Sequence, residues 1–99
     1  FSDQTNEADF EPRHRLDKAE LLELFNWTEA EFEENTQGSP IRRIGYERWL
    51  RNIAVALGNG PADIKVIAAL KSKQDHSVLV AEHADWAIKK LELKLEANA

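Results

Sequence analysis

The chain has 99 residues, with 18 Asp and Glu against 13 Lys and Arg, a net charge of −5 and no cysteine. That length suits one small domain with a modest core. The composition excludes a disulfide, a thiolate metal site and a cysteine nucleophile; it argues against unspecific nucleic-acid binding by the whole surface, and no apolar run approaches membrane-spanning length.

Phe1–Arg15 is polar and aperiodic, interrupted by Pro12, with Phe1 and Phe10 as its only anchors. Residues 1–16 therefore read as a linker or arm, and residues 17–99 as a helical domain. Nothing in Phe1–Phe10 resembles a signal peptide, and the absence of an initiator Met points to a fragment or a trimmed chain. Asp17 with Glu20 forms a capping-box pattern for a first helix over Lys18–Phe25, with Leu21, Leu22 and Phe25 apolar. Thr28 with Glu31 does the same for a second helix over Glu29–Asn35, turning Phe32 and Trp27 inward and closing at Gly38. Glu31, Glu33 and Glu34 have no histidine nearby and read as a solvated face, not a metal site.

The third element is the stretch around which the chain is organised. Ser39 can cap it, and Pro40 suits the first helical position, where a missing N–H costs nothing. Gly45 marks either a bend between Ile41–Ile44 and Tyr46–Leu57 or a close approach of another backbone. Gly58, Asn59 and Gly60 read as its stop. Tyr46, Leu50, Ile53 and Leu57 recur at helical spacing and face a core, with Trp49 and Ala56 widening that face. Arg48, Arg51, Asn52 and Val55 define the neighbouring face. Arg42, Arg43, Arg48 and Arg51 fall within ten residues, opposed locally by Glu47 alone. Arg offers a planar fork of donors that matches phosphate, so this stretch is a candidate phosphate-binding surface. The ordinary alternative is pairing with acids elsewhere in the chain, since surface ion pairs are common.

Pro61 is expected to open a fourth helix over about Ala62–Lys71, with Ile64, Ile67, Ala68 and Leu70 apolar. Ser77 caps a fifth, about Val78–Glu96, whose broad face holds Leu79, Val80, His83, Ala84, Trp86, Ala87, Leu91 and Leu95. Trp86 can serve as a stacking platform for a base, but its apolar neighbours place it in the core. The tail KKLELKLEANA alternates polar and apolar residues, yet its Ala-, Leu-, Lys- and Glu-rich composition favours helix. No segment makes a strand, so the fold class is all-α, about five helices.

Charge is spread unevenly. Residues 1–40 carry three Lys and Arg against eleven Asp and Glu, residues 41–60 four against one, and residues 61–99 six against six. A positive central patch on a negative body would orient a polyanion. Trp49–Leu57 and Val80–Ile88 superpose at an offset of 31, matching Trp49 to Val80, Ile53 to Ala84, Ala56 to Ala87 and Leu57 to Ile88. That period suits a HEAT-like helical solenoid. No Ser, His and Asp residues are arranged for catalysis. His14, His76 and His83 show no metal-ligand spacing, and the Gly58–Gly60 run lacks the Lys of a nucleotide loop. No catalytic, cofactor-binding or metal residue is assigned.

GSPIRRIGYERWLRNIAVALGN closely resembles the C-terminal region of the epoxyqueuosine reductases, bacterial enzymes acting on the wobble base of certain transfer RNAs. FSDQTNEADFEPRHRLD resembles the segment after that family's last iron–sulfur cysteine, ELFNWTEAEF its next helices, and LVAEHADWAI its terminal HEAT-like repeat. The resemblance covers Phe1 to about Leu91. It implies a cytoplasmic protein whose cobalamin and two [4Fe–4S] clusters are held by upstream catalytic and ferredoxin-like domains, with no cofactor held here. It implies transfer RNA as partner, together with those upstream domains of the same chain, and no membrane or DNA. The arginine-rich helix is the family's hallmark in this region, so Arg42, Arg43, Arg48 and Arg51, extended by Asn52, are the expected RNA-binding positions. Ala81 stands where HEAT-like repeats usually place Arg, which counts against RNA binding by the second repeat. The alternative is a structural docking domain that buttresses the iron–sulfur domain.

Overall fold

The structure, a computed structural model, describes residues 17–97. The arm over residues 1–16, with Phe1, Phe10 and His14, lies outside the described residues, as do residues 98–99. The elements are α1 (Lys18–Phe25), α2 (Glu29–Asn35), a 3₁₀ turn (Pro40–Ile44), α3 (Gly45–Gly58), α4 (Ile64–Ser72) and α5 (Val78–Ala97). There is no strand among the described residues.

Local chemistry starts the first two helices as expected. The Asp17 carboxylate accepts from the Glu20 N–H at 2.8 Å, and the Glu20 carboxylate accepts from the Asp17 N–H at 3.0 Å. The Thr28 hydroxyl and Glu31 repeat that exchange at 3.2 and 2.8 Å. Each box satisfies two of the N–H groups that a helix start leaves unpaired. The Thr36 hydroxyl, buried at the end of α2, donates to the Phe32 carbonyl.

The central stretch is two elements. Ser39 caps only the 3₁₀ turn, its hydroxyl accepting from the Ile41 N–H at 3.1 Å. Gly45 then adopts φ 84° and ψ 158°, a conformation essentially confined to glycine, and α3 starts afresh without a side-chain cap. A Cβ at Gly45 would meet nothing within 4 Å, so its reason is the bend and not a close approach.

α3 lies at the centre, packed against α1, α2 and α5; α4 packs against α1 and α5. The buried face of α3 holds Tyr46, Trp49, Leu50, Ile53, Ala54, Ala56, Leu57 and Gly58. Trp49 stacks on Trp27 at 5.4 Å between centroids and 6° between planes, and Phe32 tilts against both Trp49 and Tyr46. The Trp49 indole N–H donates to the Leu24 carbonyl at 3.3 Å. The Tyr46 hydroxyl donates to the Trp27 carbonyl and accepts from the Lys73 ammonium. The Tyr46 hydroxyl thus reaches a carbonyl in the turn after α1, and the Trp49 indole adds a second donor to the Leu24 carbonyl, which already accepts from the Trp27 N–H at 3.3 Å.

Two expectations are corrected here. The fourth helix starts at Ile64, not near Ala62, because Asp63 caps it by accepting from the Lys65 N–H at 2.7 Å. Its inward residues are Val66, Ile67 and Leu70; Ala68 is exposed and Ile64 is 75% exposed. α3 ends at Gly58, the expected stop, with Asn59 as its cap in right-handed geometry. Position 58 is glycine because α5 comes close: a Cβ there would lie 2.7 Å from Trp86 Cζ3 and 2.9 Å from the Ala87 Cβ.

α5 is helical to Ala97, so its alternating tail is no strand. The Ser77 hydroxyl accepts from the Val80 N–H, as a cap should. Val80, Ala84, Ala87, Ile88 and Leu91 form its buried line. All eight residues of the four pairs matched at offset 31 are buried. Lysines of α5 close the end of α3: Lys90 donates to the Asn59 side-chain carbonyl at 2.6 Å and Lys94 to the Gly60 backbone carbonyl at 2.7 Å. Cations here suit the negative end of the α3 dipole.

Candidate nucleic-acid interface

Gly45 divides the arginines into two groups. Arg42 and Arg43 sit on the 3₁₀ turn, where with Gly38, Ser39 and Pro40 they line a shallow depression of about 430 Å³. Arg48 and Arg51 are three residues apart on α3, so they share a face.

The four differ in what already holds them. Arg42 is half exposed, and its guanidinium meets the Glu33 carboxylate through both Nε at 2.8 Å and an Nη at 2.7 Å. Glu47 is therefore not the acid opposing it; a residue of α2 is. Arg51 is half-buried, and its Nε donates to the Asn52 side-chain carbonyl at 2.8 Å. Arg43 and Arg48 are exposed and have no ion pair or hydrogen bond from the side chain among the described residues. Two guanidinium groups, charged at every physiological pH, thus stand open to solvent, while a third is lightly held by an exposed carboxylate. An exposed pair of that kind is worth roughly 0–1 kcal/mol and yields to a better anion.

Trp86, expected in the core, is instead 42% exposed. Its position carried the signal. The buried line Val80–Ala84–Ala87–Leu91 advances by four, three and four residues, and Trp86 falls one residue off it, about 100° around the helix. Trp86, Glu82 and His83 of α5 line a hollow of about 380 Å³ with Val55 of α3. His83 Nδ1 lies 2.8 Å from the Leu79 carbonyl, which assigns the proton to Nδ1 and leaves Nε2 as the ring's remaining polar atom.

A third concavity, about 320 Å³ and mostly apolar, opens beside the start of α1 between Leu21, Leu57, Pro61 and Val66. At its rim Lys18 pairs with Asp63, and that ammonium, with the Lys65 N–H, holds the Asp63 carboxyl below its ordinary 3.8. Among the described residues no group of three or more His, Cys, Asp or Glu is placed to hold a metal ion, and no helix is long and apolar enough to cross a membrane. The chain has no cysteine and so no thiolate to ligate an iron–sulfur cluster.

No protein-family model matches the chain, and no solved structure does. Full-length curated proteins do. The chain is 56% identical over 91 residues to an epoxyqueuosine reductase of Pseudomonas aeruginosa, covering 91% of this chain and 25% of that protein. It is 57% identical over 89 residues to the Xanthomonas campestris epoxyqueuosine reductase, 89% of this chain and 25% of that one. With that of Escherichia coli the identity is 53% over 88 residues, 89% of this chain and 23% of that one. The chain thus spans about a quarter of the length of the curated relatives it matches, and over nine-tenths of its own length it is similar to epoxyqueuosine reductases.

Proposed function

We propose that this chain is the C-terminal helical, HEAT-like domain of an epoxyqueuosine reductase, a cytoplasmic enzyme converting epoxyqueuosine to queuosine in transfer RNA. In that reading it helps to position the anticodon stem-loop. The reaction belongs to upstream domains carrying cobalamin and [4Fe–4S] clusters, and the isolated chain is inactive. The observation that carries the RNA role is the pair of exposed guanidinium groups of Arg43 and Arg48, without a side-chain partner among the described residues, in a chain similar across nine-tenths of its length to such reductases.

The physical division of labour follows from what arginine on a surface can do. Guanidinium forks bind phosphate oxygens and fix the register of a nucleic acid without reading its sequence. They cannot surround a base, so recognition of the modified nucleoside falls to the catalytic pocket. Arg43 and Arg48 make contacts without giving any up. Arg42 must release Glu33, and Arg51 with Asn52 extends the polar stripe from a half-buried position.

The test uses the full-length protein that carries this chain. Transfer-RNA affinity is measured against salt for Arg42→Ala, Arg43→Ala, Arg48→Ala and Arg51→Ala, with folding checked by thermal melt. Each lost phosphate contact lowers the salt slope by roughly 0.7–0.9. Arg43→Ala and Arg48→Ala are expected to show it most and Arg42→Ala less. Unchanged affinity and slope in all four folded variants ends this reading.

The apolar concavity beside the start of α1 favours a second role on another face, that of a docking surface buttressing the iron–sulfur domain. Pro61→Lys, at the exposed rim of the concavity, would then loosen cluster-domain contact in the full-length protein, seen as earlier proteolytic release of this domain, while leaving its melt and the salt slope for RNA unchanged.

A further inference from the structure

The hollow between α3 and α5 belongs neither to the core nor to the arginines. We propose that it receives an unpaired, amino-bearing nucleobase of an RNA whose phosphates lie on the α3 arginines. This rests on the RNA reading above and deepens it.

The first support is a ring that is both exposed and immobilised. One edge of Trp86 is seated so tightly on Gly58 that a Cβ there would lie 2.7 Å away. The Lys90 ammonium stands 5.0 Å from the ring centroid and is itself anchored on Asn59. An aromatic ring fixed in this way loses little freedom when a base stacks on it. The second support is the polarity of the hollow. The Glu82 carboxylate at its wall repels phosphate, so the backbone is not the occupant. A carboxylate accepts from an exocyclic amino group, and His83 keeps Nε2 for a second polar contact, its Nδ1 being committed to Leu79. The third support is position. Val55, the α3 wall of the hollow, lies four residues beyond Arg51 on the same face, a rise of about 6 Å. Phosphate on Arg51 and base in the hollow are thus about one turn apart, and phosphate on Arg48 about two. Stacking needs no cation, so the Ala81 that deprives this repeat of an arginine does not count against the hollow.

The experiment measures binding of the full-length protein to a hairpin RNA with an unpaired loop, the same hairpin with abasic loop positions, and a blunt duplex of equal length. Trp86→Leu is expected to weaken the looped hairpin roughly ten-fold, to leave the abasic hairpin and the duplex unchanged, and to keep the salt slope. Trp86→Phe, which retains an aromatic face, should recover most of the loss. Equal weakening on all three probes, or no weakening with the melt intact, overturns the inference. If Arg43→Ala and Arg48→Ala alter the salt slope while Trp86→Leu changes nothing, the hollow alone is refuted. If none of these variants changes binding, the RNA reading falls with it. Earlier release of this domain by protease in Trp86→Leu, with RNA affinity kept, would put a neighbouring domain in the hollow and equally overturn the proposal.

Discussion

The two faces of α3 use their polar atoms in opposite ways. On the buried face, the Tyr46 hydroxyl and the Trp49 indole N–H are both committed to carbonyls of α1 and the turn after it. On the open face, Arg48 has no partner among the described residues and Arg51 holds only its neighbour Asn52. A buried donor without an acceptor is costly, so the inner face is closed by necessity. An exposed guanidinium is satisfied by water and remains available to an anion. One helix thus carries both the anchor of the fold and the candidate interface, and substitutions on the two faces should be separable.

The largest effect belongs to the inner face. Trp49→Ala removes the stack on Trp27, the contact with Phe32 and the indole's hydrogen bond to the Leu24 carbonyl. Truncation of a core aromatic costs about 3–5 kcal/mol, enough to unfold much of so small a domain. Urea denaturation should show it, and a loss under 1 kcal/mol would break the distinction between the faces. Gly58→Ala comes next, at about 1–3 kcal/mol from overpacking against α5. Because Trp86 is the nearest obstacle, adding Trp86→Leu should give less than the sum of the two single losses. Gly45→Ala should cost about 1–3 kcal/mol for a different reason, positive φ with open space around it, and no second-site truncation should relieve it.

The open face should respond in binding and not in stability. Arg48→Ala is expected to change stability by no more than about 0.5 kcal/mol, while lowering the salt slope for transfer RNA in the full-length protein. A smaller effect is tied to pH at the junction of α1 and α4. Lys18 and the Lys65 N–H hold the Asp63 carboxyl below 3.8, so the ionised form is favoured in the folded state. The stability this contributes is fully present above 3.8 and is lost as pH falls through the lower folded value. Asp63→Asn should flatten the stability profile of the acid limb below that point; an unchanged acid limb would separate the pair from folding.

Where the sequence spoke alone, it did so through short-range chemistry. The boxes of Asp17 with Glu20 and Thr28 with Glu31, and the Ser77 cap, place three helix starts, because each bond closes within three residues of its own donor. The buried stripe of α3 was legible for a related reason: its large residues recur at helical period beside a run of polar ones. The position of the arginines was visible as well, since charge is a property of the residue itself. Only the tertiary structure decided which of them are engaged. Glu33 reaches Arg42 across a reversal of the chain, at a separation in sequence of nine residues that no helical spacing relates. It also decided among residues of equal hydrophobicity, taking Val66 inward while leaving Ile64 in solvent, and turning Trp86 onto the rim of a hollow. Burial depends on what lies opposite, and for α4 and α5 that surface is other helices, each other together with α1 and α3, which the spacing within one helix does not reveal. Gly58 holds both lessons: its identity marked a special place, but the reason, the Trp86 ring and Ala87 of α5 lying too near to admit a Cβ, exists only once the helices have packed.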